Sequence, residues 1–143
     1  MRTVNTLVRP AGTERRPRLT LWLLRTAATL HLVLVLAQPV LAGLFLTGDV
    51  DAIGVHETVA NVLAFVELAL IGVAIAYVVA RGRWWVLGAA VLLLVAVGTQ
   101  MAVGYNRALQ FHIPLGVAIV TAAVLLAIWV WTPAAGRPRG GAR

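Results

Sequence analysis

WWVLGAAVLLLVAVGTQMAVGYNRALQFHIPLGVAIVTAAVLLAIWVW, residues 84–131, contains a single charged side chain, Arg107. A bilayer core of roughly 30 Å needs about 20 apolar residues in a helix. The stretch holds two such runs, split by the polar residues 106–110. It therefore reads as an antiparallel pair of membrane spans, 84–105 and 111–131. The preceding sequence has the same form. Apolar runs at about 21–46 and 55–80 are joined by residues 47–54, and residues 81–83 lead into the third run. Connections this short make neighbouring helices antiparallel. The predicted fold is all-α: an antiparallel four-helix transmembrane bundle over residues 19–132, flanked by basic tails at 1–18 and 133–143.

Composition agrees. Apolar residues make up 61% of the chain and charged residues 12%, whereas soluble domains are about half apolar and a quarter charged. A domain of 143 residues has too much surface for its volume to hide that apolar excess from water. With no cysteine, disulfides, iron–sulfur clusters, thiolate haem ligation and thiol catalysis are excluded. All 12 basic residues are arginine, the net charge is +7 and the pI is near 11.7. These arginines lie mostly outside the apolar runs, and no nucleic-acid motif accompanies them. The expected surroundings are lipid, not nucleic acid. Exclusive arginine usage beside abundant Ala, Val, Leu and Gly points to a GC-rich bacterial source.

Arginine placement predicts the topology. Arg2, Arg9, Arg15, Arg16, Arg18, Arg81, Arg83, Arg137, Arg139 and Arg143 fall on one side of a four-span chain. The other side has Arg107, with Asp49 and Asp51 in its longer loop. Both termini are expected in the cytoplasm of a bacterial cell, in its cytoplasmic membrane. Trp22, Trp84, Trp85, Trp129 and Trp131 fall at that same side's span ends, as an aromatic belt does. The Arg-rich start and Val40-Leu41-Ala42 also suggest a signal peptide with its cleavage site. The first apolar run is too long for one, and cleavage would break the charge pattern. Both tails lack apolar periodicity and are predicted to be disordered, with arginines able to touch anionic headgroups.

Polar side chains inside spans are costly and mark candidate sites. They are Arg25, His31, Gln38, His56, Glu57, Asn61, Glu67, Gln100 and His112. Arg25 is one turn from a span end and can snorkel. His56 opens the second span and His112 opens the fourth. Both spans enter from the same face, so the imidazoles share a level near the outer leaflet. On diagonal helices they would face each other, an arrangement suited to axial ligation of haem iron. Ala60 and Gly116 follow the two histidines at i+4 and offer a low surface for a porphyrin, although small residues also serve ordinary helix packing. The halves resemble each other: a Gln, then a Gly, then a His opening the returning helix. Two repeated two-helix units would place Gln38 and Gln100 at equal depth beneath the histidines, within reach of them, of a cofactor edge or of each other.

A second group lies deeper. Glu67 follows His56 by eleven residues, and His31 precedes Gln38 by seven; both spacings keep one helix face. A His31–Glu67 pair lowers the penalty of burying either group. It reads as a structural tie or as a proton or quinone site. Glu57 is expected near headgroups, a less favoured partner for a histidine or a divalent metal. No Walker motif, dinucleotide loop or nucleophile–base set is present, and no broken span suggests a transporter.

Gln38–Gly43, His56-Glu57, Gln100–Gly104 and His112-Ile113-Pro114-Leu115-Gly116 resemble the pattern of a family of small, uncharacterised four-helix actinobacterial membrane proteins, over residues 21–132. The same outline is similar to one four-helix half of haem A synthase. In that family, histidines on the second and fourth helices ligate haem, with a Glu near the first; His56, His112 and Glu57 match. This chain has one bundle rather than two and lacks the cysteine pair often found there. The resemblance implies haem b carriage rather than haem A synthesis. The two readings of function are thus a bis-histidine haem b protein, for electron transfer or haem handling with a redox partner, and a non-catalytic accessory subunit or scaffold in a larger membrane complex.

Overall fold

A computed structural model describes residues 19–139. Four long helices follow in order: α1 (Leu19–Leu46), α2 (Ala52–Val79), α3 (Trp85–Tyr105) and α4 (Leu109–Trp131). A single turn, α5 (Pro133–Gly136), closes the chain, and no strand occurs among the described residues. All four long helices are long and apolar enough to cross a membrane. At 1.5 Å per residue even the shortest spans roughly 30 Å. The chain is a multi-pass integral membrane protein built as an all-α four-helix bundle. The expectation for residues 1–18 lies outside the described residues.

Each helix packs on its neighbour in sequence, and α4 returns to pack on α1. The ring closes in the order α1–α2–α3–α4, so α2 and α4 are diagonal. The three connections share one chemistry. Gly48, Arg81 and Arg107, each two residues past the last residue of its helix, take positive φ. The next residue's N–H then reaches back five positions: Asp49 to Leu44, Gly82 to Tyr77 and Ala108 to Val103, at 3.1, 2.9 and 2.9 Å. These are Schellman closures, which satisfy helix-end carbonyls. They make tight antiparallel turns possible.

The core is a seam of alternating three- and four-residue steps, the spacing that keeps one helix face inward. On α1 it holds Leu24, Ala28, His31 and Val35; on α2, Leu63, Glu67, Leu70, Ala74 and Tyr77. On α3 it holds Val86, Ala90, Leu93 and Val97; on α4, Ile119, Ala123, Leu126 and Val130. The hairpins repeat. Leu24, Ala28, His31 and Val35 map in register onto Val86, Ala90, Leu93 and Val97. Leu63, Glu67, Leu70 and Ala74 map onto Ile119, Ala123, Leu126 and Val130.

The end carrying both described termini is closed by aromatic and arginine contacts. Trp22 meets Trp131 edge-on at 5.8 Å, and Trp85 meets Trp129 at 4.5 Å. Arg25 joins this aromatic end. Its Nε donates to the Val130 carbonyl at 2.9 Å, and its guanidinium lies 5.0 and 4.9 Å from the Trp22 and Trp131 rings. It caps the last turn of α4, whose carbonyls lose partners where Pro133 follows. The C-terminal segment, expected to be disordered from 133, is instead docked as far as 139. Ala135 is buried, its carbonyl accepts from the Tyr77 hydroxyl at 2.8 Å, and the Arg139 N–H donates to the Arg81 carbonyl at 2.8 Å. Composition suggested a loose tail because the docking partners, Tyr77 and Arg81, are far away in sequence.

Candidate functional site

At the opposite end the inward seam continues in register but turns polar. After Val35 it reaches Gln38 and Ala42; after Val97, Gln100 and Gly104. Before Leu63 it holds His56 and Ala60; before Ile119, His112 and Gly116. The four helices thus place two glutamines, two histidines and four small residues together over the last inward turn at this end.

Within each hairpin the Gln and His bond reciprocally. His56 Nδ1 lies 3.2 Å from the Gln38 carbonyl oxygen, and the Gln38 amide donates to the His56 carbonyl at 3.4 Å. His112 Nδ1 lies 3.0 Å from the Gln100 carbonyl oxygen, and the Gln100 amide donates to the His112 carbonyl at 2.9 Å. A carbonyl only accepts, so each Nδ1 carries the proton in these bonds. Each Nε2 is left with its lone pair, and no protein group bonds either one among the described residues. The imidazole centroids are 6.3 Å apart across the diagonal, with ring planes at 54°. Both rings are half-buried.

The glycines of the second half permit its closer bonds. A Cβ at Gly104 would lie 2.9 Å from His112 Cε1, and one at Gly116 would lie 2.9 Å from Gln100 Nε2. Gly116 therefore makes room for the Gln100 amide. The first half has Ala42 and Ala60 at these positions, and both of its bonds are longer. Gly104 entered the sequence reading only as part of the repeated motif. Its role follows from its distance to His112, which spacing along the chain does not reveal. Gln100 Oε1 is buried without a hydrogen-bond partner among the described residues.

Glu57 points elsewhere. It is exposed and accepts from the Tyr105 hydroxyl at 3.0 Å, tying α2 to α3. Among the described residues no three His, Cys, Asp or Glu side chains gather as a metal cluster.

The structure pairs His31 with Glu67. His31 Nε2 meets Glu67 Oε1, and the two side chains are 1% and 0% exposed. His31 Nδ1 and Glu67 Oε2 find no hydrogen-bond partner among the described residues. The layer of Val35, Leu63, Val97 and Ile119 separates this pair from the histidine layer.

No family model matches this chain, and neither a curated protein nor a solved structure matches it.

Proposed function

We propose that the chain is a small membrane cytochrome that binds one haem b between His56 and His112, for electron transfer or haem handling. One observation carries the reading: two imidazoles face each other across the bundle diagonal, each tied through Nδ1 to a carbonyl so that Nε2 is free to ligate. Such backbone bonds orient metal-binding histidines and fix their tautomer. The spacing fits. Two in-line metal–imidazole bonds of about 2.0 Å, with each ring's own radius added, separate centroids by about 6 Å. The donor set also fits. A bare zinc ion needs three or four protein ligands, whereas haem iron brings four equatorial nitrogens and asks the protein for axial ligands only. Bound there, haem b would supply reversible one-electron chemistry. The chain's part is to hold two neutral imidazoles at fixed spacing and to wall the site with the Val35–Leu63–Val97–Ile119 layer. Arginine asymmetry supports a site near the outer leaflet of a bacterial cytoplasmic membrane, with both termini cytoplasmic and a redox partner outside this chain.

A second reading has its own support. The reciprocal Gln–His bonds staple α1 to α2 and α3 to α4, as a scaffold or accessory subunit would require. Visible spectra of protein purified from cells supplied with haem precursor separate the two. The cytochrome reading expects a sharp Soret band and a reduced α-band typical of six-coordinate haem b. His56→Ala and His112→Ala should each lose that spectrum while still inserting in the membrane. Wild-type protein that is colourless and does not take up added haemin leaves the scaffold reading; spectra unchanged in both variants refute the ligand assignment.

A further inference from the structure

The second hairpin packs its matching layer without an ionisable pair. At the matching positions of the second hairpin stand Leu93 and Ala123, both buried and apolar. The first hairpin has instead placed two ionisable groups in a fully buried layer, where burying a charge is expensive. From that difference we infer that His31 and Glu67 form a proton-binding site linked to the redox state of the His56–His112 centre; this rests on the haem reading above.

The chemistry follows from the atoms. With one proton shared between His31 Nε2 and Glu67 Oε1 and Nδ1 bare, the pair carries a net charge of −1; a second proton makes it neutral, the state that apolar surroundings favour. Two further positions, His31 Nδ1 and Glu67 Oε2, have no partner among the described residues, so one more proton has a place to bind. Among the described residues no other titratable group faces the pair. The remaining positions of its layer, Leu93 on α3 and Ala123 on α4, are apolar, as are Ala28 and Val35 on α1 and Leu63 and Leu70 on α2. On α2 Glu67 lies eleven residues, roughly 16 Å, along the axis from His56. One added negative charge at that distance, at an effective dielectric constant near 20, changes proton binding by about fivefold. The balanced step is simple: one electron arrives from an external one-electron donor, and a fraction of one proton enters the pair from bulk water. Reoxidation reverses both.

The test uses the full-length, haem-loaded protein in weakly buffered detergent with a pH-indicator dye. Proton uptake on dithionite reduction is measured across pH 5 to 9, beside the midpoint potential. The double variant His31→Leu/Glu67→Ala copies the second hairpin's own residues, so the layer stays packed. His31→Gln/Glu67→Gln keeps polar contacts without the acid–base function. The haem's own propionates are present in all three proteins and set the baseline. Wild type should take up more protons than either variant, and its potential should fall more steeply with pH, while the three spectra agree. Equal uptake and equal slopes in wild type and variants overturn the proton link and leave the cytochrome reading standing. Colourless wild-type protein overturns the cytochrome reading and the link with it.

Discussion

Adding one methyl group at Gly104 puts a carbon 2.9 Å from His112 Cε1 and 3.1 Å from Nδ1. Both distances are well inside ordinary contact, so the imidazole must move by several tenths of an ångström. Its Nδ1 bond to the Gln100 carbonyl is 3.0 Å long, and such a shift takes it toward the length at which a hydrogen bond fails. Losing that bond costs about 1 kcal/mol, and overpacking adds about 1–3 kcal/mol. Alanine's better helix propensity returns about 1 kcal/mol. Gly104→Ala should therefore destabilise the bundle by about 2 kcal/mol. Gly98, two turns earlier on α3, provides the control because a Cβ there meets nothing within 4 Å. Gly98→Ala should gain stability by up to about 1 kcal/mol. Circular-dichroism unfolding in mixed detergent micelles measures both. Equal shifts in the same direction for the two variants would falsify the claim that Gly104 makes room for His112. If haem binds there, Gly104→Ala should also weaken it by about 10–100-fold, as loss of an orienting contact typically does.

Two further outcomes follow from the same geometry. Glu67→Ala alone leaves His31 in an apolar layer with its one partner removed, and should destabilise by about 3 kcal/mol; adding His31→Leu should recover most of that loss in the same unfolding assay, and strictly additive effects would rule out the coupling. Arg107 holds φ at 55°, a conformation that glycine adopts without strain, so Arg107→Gly should stabilise the α3–α4 turn by about 1 kcal/mol, visible as a higher Tm; an unchanged or lower Tm would mean the arginine side chain makes a compensating contact.

Much of this site could be read from spacing. His56 and His112 each open a helix that enters from the same face, so their shared level follows from topology. The eleven-residue spacing of His56 and Glu67 and the seven-residue spacing of His31 and Gln38 define common faces. What spacing could not show was the partner of each atom. The glutamines reach the histidines' own carbonyls and the histidines reach theirs, a cross-hairpin exchange set by how closely α1 approaches α2 and α3 approaches α4. Gly116 could be read as cofactor clearance or as ordinary packing; only the structure showed the Gln100 amide against it. Glu57, adjacent to His56 in sequence, turns outward to Tyr105, since consecutive helical residues lie about 100° apart.

Hydropathy and arginine placement determine the number of spans, their limits to within a few residues and their antiparallel order, because apolar length and tight turns are local properties of the chain. Ring closure, the diagonal facing of His56 and His112 at 6.3 Å, the contact of His31 with Glu67 and the docking of Ala135 beneath Tyr77 were decided only in three dimensions. Each depends on side chains from different helices meeting in one layer, and that meeting is fixed by packing between helices rather than by any one helix's sequence.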